Sequence, residues 1–378
     1  MKKILFVVDD RNMGGVSIVL EDILNNINLK NSKIDLLVLN NTGSRLKKIP
    51  KNITIIEGTK FFKSINVSFN SALKGKDIKS LALKIYLTFL LKTNLIKYKI
   101  RKERKKILKS DYDIEIAFKY GFVTLFTYYG DSLKKINWIH NDVSNNDPAF
   151  KYRGVFKKIL SEFDLNVLLS DNLERAFKRI YSVNNTIVIN NVIDDKKILE
   201  LSKKTNYIQT KNINILSIGR LNKIKCYAEL IQTFNRLKQE NILHNVQLSI
   251  IGDGEEKEHL LELIKAYDLE NNIRLLGEKD NPYPFLKIAD LFILPSKSEA
   301  YPTVVIESLM CGTPVLSTNT ISISEMLNES YGFITNNIYE ALISIINNRE
   351  LLVYKREALK KYKYNNKKII NKIEEILK

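Results

Sequence analysis

Short apolar runs of strand length recur along this chain, each followed by a stretch with helical spacing, and that alternation constrains the fold more than any other feature. The first series is KILFVV (3–8), IDLLVL (34–39), NITIIE (52–57), IEIAF (114–118), INWIH (136–140), LNVLLS (165–170) and TIVINN (186–191). A polar, weakly patterned stretch follows, DKKILELSKKTNYIQT (195–210). The second series is INILSIGR (213–220), NVQLSIIGDG (245–254), NIRLLGE (272–278), ADLFILPS (289–296) and TPVLST (313–318). Apolar strands separated by helical segments indicate parallel sheets with helices on both faces. At 378 residues the chain can bury two cores. The expected fold is therefore α/β, with two doubly wound, Rossmann-like domains facing across a cleft that would hold the ligand. The spacing predicts an N-terminal domain over 1–195, a linker over 196–210 and a C-terminal domain over 211–355, with a C-terminal helix over 356–378 available to pack back on the first domain.

No apolar run approaches the roughly 18–20 residues that span a bilayer. The opening MKKILFVVDD is stopped by Asp9 and Asp10 too early for a secretory signal, so a cytoplasmic protein is expected. Cys226 and Cys311 are far apart and lack ligand-spaced companions, which argues against a disulfide framework or a zinc site. The net charge of +18 is concentrated: residues 79–109 carry eleven Lys/Arg against one acid, Glu103. The apolar block LALKIYLTFLL precedes the basic block KYKIRKERKKILK. An ordinary helix with a solvated basic face would account for this run, and so would an anionic partner. Of the anionic partners, a membrane surface suits an apolar block beside a basic one. No pattern of a nucleic-acid reader accompanies it.

The residues with chemical potential cluster in the second series. SIGRLNKIKCYAELIQTF ends a strand at Gly219 and places Arg220 and Lys225 ahead of a helix. Two cations beside a helix N-terminus suit a diphosphate. IIGDGEE is a strand–turn–helix element with Asp253 near the next helix. In PSKSEAYPTVVIESLMCGTPVL, Glu299 and Glu307 stand eight positions apart. Pro302 predicts that a helix starts between them, at Thr303. The free N–H groups there could hold a phosphate, with Glu299 outside the helix and Glu307 within its first two turns, where it could accept bonds from ribose hydroxyls.

ADLFILPSKSEAYPTVVIESLMCGTPVLST resembles the signature of the retaining GT-B glycosyltransferases of family 4. Further segments match in order along nearly the whole chain: GGVSIVLEDIL (14–24), WIHND (138–142), INNVID (189–194), GRLNKIK (219–225) and GDG (252–254). The resemblance implies that Arg220 and Lys225 bind the donor diphosphate, faced by the amides near Gly14 and Gly15. It implies that Glu307 binds the ribose, that Glu299 binds hydroxyls of the transferred sugar, and that His140 lies close to the reacting centre. Asn191, Asp253, Ala300, Tyr301, Pro302 and Thr303 fall within the matching donor-binding segments. The chain departs from the pattern at Ala300-Tyr301, where the family usually has Gly-Phe, and at Cys226 and Val192, where it usually has glycine. STNTISISEML also lacks the usual Gly-Gly before its acid, Glu325.

The expected activity is that of a hexosyltransferase moving a sugar, with retention, from a nucleotide sugar (a UDP-sugar above all) to a glycan or polyprenyl-linked acceptor of the cell envelope, at the inner face of the membrane. A catalytically silent GT-B partner subunit and a GT-B nucleotide-sugar epimerase or phosphorylase are the alternatives. Arg220, Lys225 and the helix terminus could neutralise the leaving diphosphate without a metal or other cofactor. DYD (111–113) imitates an Asp-X-Asp metal motif but reads as a turn before a strand.

Overall fold

The structure, a computed structural model, describes residues 1–10, 14–40, 49–63, 78–93, 95–143, 153–203 and 212–378. The chain forms two compact units: Met1–Val192 with Lys367–Lys378, and Ile193–Asn366.

In the first unit, β1 (Lys2–Asp10), β2 (Ser32–Asn40), β3 (Thr54–Glu57), β4 (Ile114–Ala117), β5 (Lys134–Trp138), β6 (Leu165–Leu168) and β7 (Thr186–Val188) form one sheet in the order β3-β2-β1-β4-β5-β6-β7. Every pairing in it is parallel. The central strands bury both faces, and Ile4 to Val8 are fully enclosed, which is why they read as unbroken apolar runs. The last helix, Asn366–Ile376, belongs to this unit from Lys367 onward. Lys134 Nζ donates to the Ile376 carbonyl at 2.7 Å, and Lys372 Nζ to that of Val188 at 3.2 Å.

In the second unit, β8 (Ile213–Ile218), β9 (Val246–Ile251), β10 (Ile273–Leu275), β11 (Leu291–Leu294), β12 (Val315–Thr318) and β13 (Gly332–Thr335) pair in parallel in the order β10-β9-β8-β11-β12-β13. Sequence patterning does not mark β13. It has four residues within the turn-rich NESYGFITNN, and it is recruited by pairing with β12. Each sheet reverses its strand order once, between β1 and β4 and between β8 and β11, and the carboxyl ends beside such a reversal are where doubly wound sheets place ligands.

Part of the stretch expected to be a linker is the helix Asp195–Ser202. Asp194 caps it, accepting from the Lys197 N–H at 2.9 Å, and Asn281 Nδ2 donates to the Leu201 carbonyl at 3.2 Å. Residues 204–210 of the expected linker lie outside the described residues. DYD is used structurally: Asp113 accepts the Lys3 N–H at 2.7 Å, and the Tyr112 hydroxyl donates to Asp35 at 2.8 Å.

The basic stretch 79–109 forms the helices Ile78–Lys92 and Ile96–Ile107, with residue 94 and the side chains at 79–81, 83 and 84 outside the described residues. Ile96, Ile100, Glu103 and Arg104 form the buried face of the second helix, while Arg101, Lys102 and Lys105 are exposed. Arg104 is therefore not a surface charge. Its Nη2 donates to the Glu115 carboxylate at 2.6 Å and its Nη1 to the Phe126 carbonyl at 3.0 Å. No helix among the described residues is long and apolar enough to cross a membrane.

Glu103 shares this buried face and is held by Lys106 at 2.8 Å and Lys99 at 3.1 Å. Burial by itself would raise its pKa, but the bonds from the two lysines prevail and hold it down to about 2. Because the folded pKa lies below the unfolded one, Glu103 stabilises the fold above pH 4.5, and this contribution disappears as pH falls toward 2. Urea midpoints of Glu103→Gln and the unsubstituted protein should accordingly differ near neutrality and converge through that window. A gap independent of pH would remove this role.

Candidate active site

A group of charged residues lies at the carboxyl ends of β8 and β11, beside the reversal. After β8 the chain passes through Gly219, exposed Arg220 and a 3-10 turn, Lys223–Lys225. Asn222 accepts the Lys225 N–H at 3.3 Å and shapes this turn. Cys226 follows with φ 53° and leads into the helix Tyr227–Gln239. A glycine is the usual residue for such a left-handed position. Val192, Ala300 and the residues of STNTISISEML ahead of Glu325 have no positive φ, so of these departures only Cys226 occupies a glycine-favouring backbone.

The Gly252-Asp253-Gly254 turn after β9 packs directly against this loop. A Cβ on Gly252, where φ is +151°, would lie 1.9 Å from the Gly219 oxygen, and one on Gly254 would lie 2.3 Å from the Leu221 oxygen. The two backbones touch, so both glycines are required by close approach. The exposed Asp253 accepts the Gly254 N–H at 2.8 Å, and its carbonyl accepts from Leu221 N–H at 2.9 Å.

After β11, residues 295–302 form an irregular loop that brings Glu299 to Lys225, from which it accepts a direct charged hydrogen bond although the two are 74 positions apart. Their side chains are only 19% and 13% exposed, so the pair is substantially withdrawn from water. The buried Ser296 hydroxyl also donates to Glu299 Oε1 at 2.6 Å, and the Lys297 N–H donates to the Ile224 carbonyl at 2.9 Å. Sequence reading overlooked Ser296 and Asn222. Both are small polar residues near charged ones, a signal too common to act on alone.

The helix Thr303–Met310 starts as Pro302 predicts, with no side chain capping its N-terminus. Those N–H groups can receive an anion. Ala300, Tyr301 and Pro302 form the approach to it, with Tyr301 and Pro302 buried. Glu307 lies deeper in this helix and is 8% exposed.

The remaining expected site residues belong to the first unit. Gly14 (φ 64°) precedes the helix Gly15–Asn26, which has no side-chain cap, and a Cβ on either glycine would meet nothing within 4 Å. Asn191 is buried past the end of β7. His140 follows β5, its ring 4.6 Å from Phe118 and stacked on Trp138 at 6.2 Å. Its Nε2 is buried and has no hydrogen-bond partner among the described residues. Burial, reinforced by the Lys119 charge, pushes the imidazole down to about 3, so it is neutral at physiological pH. Lys119 is in turn held by Asp9 at 2.9 Å.

Residues 199–368, nearly the whole second unit, match the family model Glycosyl transferases group 1. An uncharacterized glycosyltransferase of Methanocaldococcus jannaschii is 32% identical over 57% of this chain and 60% of its own length. The O-antigen biosynthesis glycosyltransferase WclY of Escherichia coli is 30% identical over 57% and 61%. An N-acetylgalactosaminyltransferase of Campylobacter jejuni, named for a diphospho-undecaprenol-linked acceptor, is 33% identical over 45% and 47%. The chain thus spans less than two thirds of each of these relatives. Among solved structures, HepE from Anabaena in complex with UDP and glucose superposes with a TM-score of 0.72 at 17% identity, over 100% of this chain and 99% of that one. Sucrose-phosphate synthase from Thermosynechococcus elongatus gives 0.73 at 15% identity, over 100% and 98%. This chain accordingly has the two-sheet GT-B fold of known glycosyltransferases, and its residues 199–368 match the Glycosyl transferases group 1 family model.

Proposed function

We propose that the protein is a retaining hexosyltransferase that takes a UDP-sugar as donor and extends a lipid-linked or cell-envelope glycan. The observation that carries this reading is the Lys225–Glu299 pair beside the uncapped Thr303–Met310 helix. In this assignment Arg220, Lys225 and the helix N-terminus hold the diphosphate, Glu307 accepts the ribose hydroxyls, and Glu299 with Ala300 meets the transferred sugar. Tyr301, Pro302 and Asp253 shape the donor loops. Gly14, Gly15 and Asn191 are assigned to donor binding, and neutral His140 is assigned a catalytic role as a hydrogen-bonding group.

The C1–oxygen bond to the diphosphate breaks as the acceptor hydroxyl adds on the same face, and its proton passes to the departing phosphate oxygen. The cations and helix dipole stabilise the charge that develops there. Neither a metal nor another cofactor is needed for that neutralisation. HepE, seen with UDP and glucose, and WclY, an O-antigen enzyme, support the donor and acceptor classes respectively.

A panel of UDP-sugars scored for slow hydrolysis and UDP release tests the reading, with EDTA in a parallel arm. Turnover of at least one donor, undiminished by EDTA, is expected. If no donor binds or reacts, the reading fails, and loss of turnover in EDTA removes its metal-free part.

We also assign the helices over 78–107 to peripheral contact with an anionic membrane at the cytoplasmic face. Ile85 is 63% exposed, Phe89 53% and Tyr98 61%, beside the exposed cations Lys92, Arg101, Lys102 and Lys105. Apolar groups that can enter the headgroup region beside cations that meet its charge suit an interfacial surface. The full chain should float with phosphatidylglycerol vesicles, less so as salt rises, and remain unbound to phosphatidylcholine. Indifference to lipid charge would refute this surface.

A further inference from the structure

Besides the bonds that Lys225 and Ser296 make to Glu299 itself, the loop that carries Glu299 and Ala300 is fastened at both ends. At its start, the Lys297 N–H donates to the Ile224 carbonyl. At its far end, the Tyr301 hydroxyl lies 3.1 Å from that of Tyr364, 63 residues further along the chain. Tyr301 is 9% exposed. Burial keeps its phenol protonated, with a pKa pushed up to about 12, and raises that of Tyr364 as well. Both hydroxyls thus retain a proton to share, and a buried hydroxyl requires a partner.

Tyr364 is itself held firmly. It sits between the helix Glu350–Leu359 and Asn366, and Asn366 clamps the Ile193 backbone by accepting its N–H at 3.0 Å and donating to its carbonyl at 2.6 Å. The neighbouring Tyr362 packs edge-on against Tyr331, with ring centroids 5.3 Å apart. The fixed member of the hydroxyl pair is therefore Tyr364. The member it restrains is one residue from Ala300 and two from Glu299.

We propose that Tyr364 is a positioning residue for the sugar-binding end of the donor site, acting through the Tyr301 hydroxyl to set where Glu299 and Ala300 meet the transferred sugar. This deepens the donor-site reading above and rests on it. Lys225 and the helix N-terminus adjoin this loop, but Arg220 follows β8 and Glu307 lies within the Thr303–Met310 helix, so removing the hydroxyl pair should disturb sugar placement far more than nucleotide binding.

The test uses the full chain with Tyr301→Phe, Tyr364→Phe and the double variant, each retaining its ring. UDP affinity is measured calorimetrically, and turnover with UDP-glucose and UDP-N-acetylglucosamine. Each single change should lower kcat about tenfold, as a misplaced reacting group does, with UDP affinity within about twofold because the nucleotide contacts remain. The double variant should be no slower than either single one, because both remove the same contact. Unchanged kcat in Tyr364→Phe overturns the proposal. So does additive loss in the double variant, or a parallel fall in UDP affinity and thermal midpoint, which would mark a merely structural contact. Failure of the unsubstituted protein to bind UDP or to turn over any donor of the UDP-sugar panel overturns the underlying donor assignment together with this one. Failure confined to the variants overturns only the positioning role.

Discussion

Lys225→Ala should lower donor-dependent UDP release about 10²- to 10³-fold, the loss typical when one preorganised stabiliser of a developing charge is removed. Lys225 is placed by three separate features. Its N–H is accepted by Asn222, a Cβ on Gly219 would come within 3.3 Å of its Cε, and its ammonium meets the Glu299 carboxylate. Deleting the ammonium removes the cation assigned to the leaving diphosphate and strips a mostly buried carboxylate of its charge partner. The loss should fall mainly on kcat, because negative charge on the departing oxygen grows toward the transition state. A variant that keeps near-normal turnover would show that Lys225 is not part of the donor site. One that loses activity together with its fold, seen as a lowered thermal midpoint, would indicate that the ion pair is structural. Glu299→Gln separates these outcomes further, since it keeps the shape of the partner and removes its charge.

A second large effect is expected in the first unit, on stability rather than on donor chemistry. Arg104→Leu should destabilise the fold by about 3–5 kcal/mol, the usual cost of breaking a buried pair from one side. The Arg104 and Glu115 side chains are 8% and 2% exposed, and the guanidinium lies 4.5 Å over the Phe126 ring. Burial pushes the Glu115 carboxyl up while Arg104 pulls it back, so loss of the arginine strands a carboxyl that must then bind a proton or unfold its surroundings. Adding Glu115→Leu to Arg104→Leu should recover much of the loss, because an apolar replacement of both partners removes the stranded charge. Denaturant midpoints of the three proteins measure this. A single-variant cost below about 1 kcal/mol, the range of exposed pairs, would mean that the pair is effectively solvated.

Lys225 and Arg104 mark what a local pattern conveys about a cation's surroundings and what it hides. Lys225 is legible because it stands in a short segment between a strand and a helix, where the local pattern implies its environment. Arg104 is misleading for the same reason: within KYKIRKERKKILK it is one cation among many. Only the packing of the Ile96–Ile107 helix against β4 and the Phe122–Tyr128 helix withdraws it from the surface. The helix face at positions 96, 100, 103 and 104 has the spacing of a buried stripe, but charged residues at two of the four hide it.

The sequence alone determined the two parallel sheets, because a strand buried on both faces must be apolar throughout and leaves that record in its own residues. It also determined the start of the Thr303–Met310 helix, through proline chemistry local to residue 302. It could not announce β13, four residues with little pattern of their own, nor the helix Asp195–Ser202. Tertiary structure decided how residues far apart in the chain meet. Glu299 reaches Lys225 because β11 pairs with β8, and the Tyr301 hydroxyl reaches Tyr364 across 63 positions. Such contacts depend on strand register and chain crossing, quantities distributed over a whole sheet and therefore absent from any single stretch of residues.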